Sequence, residues 1–243
     1  MRVRDDKEIT GEDLSPMFGG IIRHYDLINH VFTWGMDIGW RKKLVDQCLK
    51  LKPEKFLDLG CGTGDLAINI ARLAPENLQV CAGDFSKEML AIASRKARKA
   101  GVDDKISFIY ADAARLPFAD NYFDCIGISF AFRNMIYKNP SAKKNLAEIL
   151  RALKPGGSCV IAESSQPKNK FIRALHHFYL RTFVFGMGLL ISGDRPAYKY
   201  LTESAVNFYG PDELEKILIA AGFKRVFYQP LFFGAAGIYR LIK

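Results

Sequence analysis

Asp58, Gly60, Gly62, Thr63, Gly64 and Asp65 form a run in which glycines alternate and carboxylates stand at both ends. Such glycines let a chain turn sharply and bring bare backbone against a ligand, and the first amides of a following helix offer unpaired donors. The dinucleotide fingerprint G-x-G-x-x-G would need a third glycine at position 65, where an aspartate stands, and no Gly-Lys-Ser/Thr follows to make a Walker-type phosphate loop. A pyrophosphate against this turn would meet Asp58 and Asp65 as like charges, whereas a ligand carrying an amine and a sulfonium would be attracted. That pattern points to S-adenosylmethionine (SAM); the plainer alternative is a turn whose glycines serve packing alone. Asp84 lies 24 positions after Gly60, close to where an acid at the end of a second strand reaches two ribose hydroxyls, with Phe85 beside it in the same ligand region.

These residues need a scaffold, and the hydrophobic pattern supplies one. Lys55 to Leu59 reads as a short strand covered on both faces, and Leu66, Ile70 and Leu73 recur at helical spacing. Further strands are expected at Leu78 to Ala82, Ile106 to Tyr110, Phe123 to Ser129 and Ser158 to Glu163. Helices are expected at Lys87 to Ala100, capped by Ser86, and at Ala142 to Leu153, closed by Lys154-Pro155-Gly156-Gly157. A helix over Pro211 to Ala221 and two strands, Lys224 to Gln229 and Gly237 to Ile242, would complete the sheet. The expected fold is α/β: a Rossmann-like, seven-stranded, mostly parallel sheet with helices on both faces. The switch-point rule puts chemistry just beyond the fourth strand, where Phe130-Ala131-Phe132-Arg133-Asn134 stands, and Glu163 ends the fifth strand on the same side.

The chain reads as one domain over 1–243, with an N-terminal cap (1–52), a ligand-binding core (53–165), a basic and aromatic insertion (166–206) and a closing helix with strands (207–243). Ser15-Pro16 enters a first helix running to about Asn29. The aromatic run from Tyr25 to Trp40 is expected to cover the ligand pocket, packing on the outside of the sheet being the equal alternative, and to be followed by a helix from Arg41 to Leu51. The net charge of +9 is concentrated in the insertion: between 166 and 200 six Lys/Arg face one acid, Asp194. Interleaved with Phe171, Leu175, Phe178, Tyr179 and the apolar run 183–191, these charges suit an anionic membrane surface or an apolar lid at least as well as nucleic acid. No apolar run has the length of a membrane span, and the charged N-terminus lacks a signal-peptide core, so a cytoplasmic protein, peripheral at the inner face of the membrane, is expected. Five cysteines without a C-x-x-C pair read as reduced and mostly buried.

Tyr25-Asp26-x-x-Asn29 with Thr33 and Trp40, Ile128-Ser129-Phe130-x-x-Arg133-Asn134, Arg151-x-Leu153-Lys154-Pro155-Gly156-Gly157 with Glu163 and Ser165, and Tyr198-x-Tyr200-Leu201-x-Glu203-Ser204 resemble the ubiquinone/menaquinone biosynthesis C-methyltransferases over roughly 18–243. The resemblance implies methylation of a ring carbon on a polyprenylated quinol with SAM as donor. It places the cofactor contacts at Thr63, Asp84, Asp112, Ala113 and Ser129, with Asp112 accepting from the adenine amino group. Three positions depart from the family: Asp37 and Tyr239 stand where histidine is usual or frequent, and Ala152 where a branched residue is common.

A ring carbon attacks a sulfonium methyl once the neighbouring hydroxyl loses its proton. Arg133, always charged and with a fork of donors, is the candidate to stabilise that phenolate. Tyr25, Asn29, Asn134 and Glu163 are candidates to hold the ring or relay the proton, Glu163 being equally readable as a structural acid. Base amino-methylation would need an Asn/Asp-Pro-Pro-Tyr/Phe-like run after the fourth strand, and cytosine C5 chemistry a Pro-Cys nucleophile; neither is present. No His/Cys spacing suggests a metal or iron–sulfur site, and the pair His176-His177, pointing to two faces of one helix, reads as surface or lid rather than ligand. The competing expectations are a methyltransferase of another small phenolic or lipid acceptor, and a SAM-binding subunit without catalysis.

Overall fold

The computed structural model describes residues 30–193 and 195–243. A seven-stranded sheet is ordered β3-β2-β1-β4-β5-β7-β6. Its strands are β1 (Lys55–Leu59), β2 (Gln79–Asp84), β3 (Ile106–Tyr110), β4 (Phe123–Ser129), β5 (Leu153–Ser164), β6 (Arg225–Leu231) and β7 (Ala236–Ile242). β7 runs antiparallel to both of its neighbours, while the ladders joining β3, β2, β1, β4 and β5 are parallel. Strand order reverses between β1 and β4, so the crevice at the carboxyl ends of these two strands is where a ligand belongs.

Side chains alternate across the sheet, as the two-residue period of a strand requires. Phe56, Cys125 and Val160 face one hydrophobic layer; Leu57, Ile126 and Ile161 face the other. The first layer is covered by α1 (Met36–Lys50), α2 (Asp65–Leu73) and α3 (Lys87–Lys99), through Leu44, Val45, Ile70 and Ala97. The second is covered by α4 (Phe132–Ile136), α5 (Ala142–Ala152) and, further along the chain, α9 (Pro211–Ala220), through Phe132, Leu146, Ile149 and Leu218. Each such fully buried aliphatic or aromatic side chain contributes about 1.5–3 kcal/mol. Between β5 and α9 the chain forms α6 (Lys170–Tyr179), a π-helical turn (Leu180–Val184), α7 (Phe185–Ser192) and α8 (Arg195–Val206).

The sequence reading places the seven strands and the covering helices, with differences that have local causes. α1 starts at Met36 rather than Arg41, because Gly35, in a left-handed conformation at φ 74°, turns the chain directly into the helix. β2 runs on through Gly83 and Asp84, which pair with Ile109 and Tyr110 of β3. β5 begins at Leu153: Lys154 to Gly157, expected as a helix stop, lead into the strand, with Gly156 and Gly157 bonded to the last residue of the chain, Lys243. β6 continues past Pro230, which an edge strand tolerates. The short helix α4 has no counterpart in the sequence reading. The expected helix Pro16 to Asn29, and most of the expected cap, lie outside the described residues; α1 packs on β4, β5 and α2.

Candidate active site

The glycine turn ties three elements together. Gly60 and Cys61 donate their N–H groups to the Gly83 carbonyl at 2.8 and 3.0 Å, and Gly62 N–H donates to Asp84 Oδ2 at 2.8 Å. A Cβ on Gly60 would come within 2.8 Å of Ala131 and Met135, so this glycine lets α4 close on the turn. One on Gly62 (φ 53°) would meet nothing within 4 Å, which leaves that side free for a ligand. Asp84 also accepts from Ser86 N–H at 2.9 Å; burial pushes its carboxyl up, and the Ser86 and Gly62 amides oppose the shift. Phe85 is partly exposed beside it. Asp112, exposed at the end of the adjacent β3, accepts from Ala114 N–H at 2.9 Å, with Ala113 half-buried between them.

The two carboxylates that framed the charge argument sit differently from that reading. Asp58 is fully buried and accepts from Ala67 N–H at 2.9 Å, so it holds the first turn of α2 and does not line the cavity. Burial pushes its carboxyl up to about 7 against the pull of the Ala67 amide, with the negative charges of Asp84 and Asp65 adding to the rise. Asp65 is paired with Arg41 at 3.2 Å and with Lys96 at 2.5 Å, and Lys96 also donates to Thr63 Oγ1 at 3.1 Å. The turn therefore presents no pair of free negative charges, and attraction of a sulfonium by Asp58 and Asp65 is not what selects the ligand.

Beyond the turn opens a cavity of about 1060 Å³ with mostly apolar walls. Its floor is the glycine turn together with the ends of β4 and β5, where Ser129, Arg133, Asn134, Glu163 and Ser164 converge. Thr33, Trp40 and Arg41 form one wall; Leu175 to Val184 of α6 and the π-helical turn form the opposite one. Trp34 Nε1–H donates to the Tyr179 hydroxyl at 2.9 Å and its indole stacks on Phe183, joining the two walls.

Arg133 is held from several sides. Its Nη1 donates to Ser164 Oγ at 2.6 Å and lies 3.6 Å from Glu163 Oε1; its backbone N–H donates to Glu163 Oε2 at 2.9 Å. Glu163 Oε1 accepts in addition from Ser164 N–H and Oγ–H, both at 2.8 Å. With both oxygens engaged, this buried carboxylate has the geometry of a clamp on Arg133. Asn134 Oδ1 faces the Tyr200 hydroxyl at 3.4 Å. Ser129 Oγ is buried and has no partner, as expected of a group that meets a ligand. Tyr25 and Asn29 lie outside the described residues.

Among the departures, Asp37 lines the cavity, where it is bonded to His30 Nδ1 and Thr33 Oγ1, each at 2.9 Å. Tyr239 is buried in β7, its hydroxyl 3.0 Å from Ser165 Oγ, and does not line the cavity; Ala152 is a core residue. Sequence reasoning missed Arg41, the cation beside the glycine turn, whose place on the first turns of α1 was hidden when that helix was read as starting at it. His176, read with His177 as surface or lid, lines the cavity from α6, its ring held down to about 4 by burial and then by the neighbouring His177.

A family model described as the ubiE/COQ5 methyltransferase family matches residues 4–243. The chain is 41% identical to the demethylmenaquinone methyltransferase of Thermotoga maritima over 92% of its length and 93% of that protein's. It is 34% identical to the ubiquinone/menaquinone biosynthesis C-methyltransferase UbiE of Pseudomonas putida, over 95% of its own length and 88% of that protein's. In fold it resembles a SAM-dependent methyltransferase from Aquifex aeolicus, with a TM-score of 0.54 at 21% identity over 77% of this chain and 81% of that one.

Proposed function

The chain belongs to the ubiE/COQ5 methyltransferase family and is a SAM-dependent C-methyltransferase of quinone biosynthesis, and we propose that its acceptor is the ring of a demethylmenaquinol, bound in the cavity between Arg133 and α6. The observation that carries this reading is the family match running from residue 4 to the end of the chain. A relative named for demethylmenaquinone is 41% identical and one named for ubiquinone as well is 34% identical, which favours the naphthoquinol ring over the benzoquinol one.

The residues present fit the cofactor. The unpartnered Ser129 Oγ and the open side of Gly62 offer it contacts at the switch point. Asp84 with Phe85, and Asp112 with Ala113, would hold the adenosine end at the tips of β2 and β3, and Gly60, Gly62, Thr63 and Gly64 would hold the middle. Arg41 would take the methionine carboxylate. When bound, SAM supplies an electrophilic methyl group on sulfur.

What the chain must add is a nucleophilic ring carbon in line with that methyl. Arg133 stabilises the acceptor's phenolate: its fixed charge acts in a mostly apolar cavity, where screening is weak and the fork is already held by Ser164 and Glu163. Because a guanidinium does not give up its proton in proteins, Arg133 favours ionisation of the hydroxyl without itself being the base, and the proton passes to water. Glu163 positions Arg133, and Asn134 contacts the ring. Holding the reactants in contact geometry supplies most of the acceleration and needs no covalent intermediate.

A polyprenyl tail gains about 0.8 kcal/mol per buried methylene from staying in lipid, so the enzyme comes to the bilayer, with residues 166–200 facing it and the protein peripheral at the inner face of the membrane. No helix among the described residues is long and apolar enough to cross a membrane. The test is transfer of labelled methyl from SAM to a panel of demethylmenaquinols and methoxy-benzoquinols. Label on a ring carbon of the naphthoquinol is expected; label on oxygen, or on the benzoquinol alone, would overturn the acceptor assignment.

A further inference from the structure

Seven non-glycine residues among those described have a left-handed backbone, and four of them are aromatic residues lining the cavity: Trp34 (φ 52°), Phe130 (56°), Phe232 (43°) and Phe233 (55°). This conformation is disfavoured for bulky side chains, so it persists only where the surroundings impose it, and such positions cluster at binding sites. Phe232 and Phe233 are consecutive, in the turn between β6 and β7, where glycine or asparagine would sit without strain. Nor does burial explain them, since both are more than half exposed.

They are part of a ring. Trp34, Leu175 and Phe178 also line the cavity while being more than half exposed, so five large apolar side chains from three separate segments surround its mouth. The Phe232-Phe233 turn is closed by Ala235 N–H donating to the Phe232 carbonyl at 3.0 Å and is fixed against the start of the insertion: Ser165 N–H donates to the Ala235 carbonyl at 2.9 Å, and Gly234 lies so close to Pro167 that an added Cβ would be 3.2 Å from it. α6 turns Phe171, Leu175 and Phe178 outward at positions i, i+4 and i+7, an apolar stripe facing solvent. Lys168, Lys170 and Arg181 are exposed around it, Lys168 being shared with Asp212 at 2.9 Å.

An apolar patch of this size, continuous with a cavity and edged by cations, has the chemistry of a surface that meets acyl chains below and anionic headgroups around. A second copy meeting it in a symmetric contact would set the basic edge against itself. We infer that the Phe232-Phe233 turn, with Trp34 and the outward face of α6, inserts into an anionic bilayer, so that the cavity opens directly into the lipid. What passes through the mouth rests on the acceptor proposed above; the docking does not.

The test is co-sedimentation of the full chain, without acceptor, with phosphatidylcholine vesicles that lack or contain about one third phosphatidylglycerol. Binding should be stronger to the anionic vesicles and weaken as salt is added. The double substitution Phe232→Asn, Phe233→Gly should lower the bound-to-free ratio by about tenfold or more, while its Tm holds or rises because both new residues suit a left-handed backbone. Phe171→Ser, outside the cavity lining, should lower binding in the same direction and stands in if the double variant does not fold. The inference is overturned if the wild-type chain binds neither vesicle, if the folded variants bind as well as wild type, or if sedimentation shows a dimer that these substitutions dissociate in place of vesicle binding. Methyl transfer to a detergent-dispersed acceptor by a chain that ignores vesicles would overturn the docking and leave the acceptor assignment standing.

Discussion

The backbone N–H of Arg133 donates to Glu163 Oε2 at 2.9 Å, while the Arg133 guanidinium reaches back to within 3.6 Å of Glu163 Oε1. One carboxylate at the end of β5 thus fixes both ends of an arginine in α4, four residues past β4. In Glu163→Gln an amide nitrogen must face one of these N–H donors, so one clamp bond is lost. The expected result is a fall in kcat of about ten- to a hundredfold and a loss of stability of about 1–3 kcal/mol, with affinity for S-adenosylhomocysteine held within about twofold. Calorimetry alongside steady-state kinetics checks it; loss of cofactor affinity on the same scale as kcat would remove the clamp interpretation.

Arg133 itself should show in the pH profile. If its charge lowers the energy of the acceptor phenolate, Arg133→Ala must wait for solvent to ionise a phenol whose pKa is about 10. Its kcat should be down by about a hundredfold or more at neutral pH and climb with pH toward about 10, whereas wild type levels off earlier. A variant profile that is parallel to wild type would mean that Arg133 acts on something other than the ionisation.

The sheet was legible because its strands are buried on both faces: Phe56-Leu57-Asp58-Leu59 and Cys125-Ile126-Gly127-Ile128 are short apolar runs ended by turn residues. Element boundaries were less so, because pairing partners decide them. Nothing in Lys154-Pro155-Gly156-Gly157 announces that Lys243 will hold it in register. Spacing located the ligand turn, yet the roles inside it depend on contacts far apart in the chain. Asp58 and Asp65 look alike in sequence; one ends up buried on Ala67 and the other between Arg41 and Lys96. Glu163 reads equally well in sequence as a proton relay or a structural acid, and the three hydrogen bonds and one ion pair that support the clamp come from Arg133, thirty residues away, and from Ser164.

Arg41 lies beside the glycine turn, 3.2 Å from Asp65, and lines the cavity, which Lys96, the other cation on Asp65, does not. With Asp65 it makes a charge pair complementary to a zwitterion, which fits the amino-acid end of SAM. Arg41→Ala should weaken S-adenosylhomocysteine binding by about ten- to a hundredfold while leaving its decarboxylated analogue nearly unaffected. Titrating both ligands into both proteins isolates the carboxylate; if the variant still prefers the carboxylate form by the wild-type margin, the anchor lies elsewhere.

Asp58 makes stability depend on pH in an unusual direction for a carboxylate. Its folded-state pKa, raised to about 7 by burial, lies above the unfolded value near 3.8, so between these limits the folded chain binds more protons than the unfolded one. Its contribution is therefore full below about pH 4, falls as pH rises to about 7, and stays low above that. Asp58→Asn keeps a carbonyl for the Ala67 N–H and removes the titration. The difference in stability between variant and wild type should move in the variant's favour by roughly 2 kcal/mol or more from pH 5 to pH 8 in cofactor-free protein. Denaturant melts at the two pH values measure it directly. A difference independent of pH would mean that Asp58 stays ionised in the fold, and the Ala67 amide with the positive charge of Arg41 would then have to offset its burial.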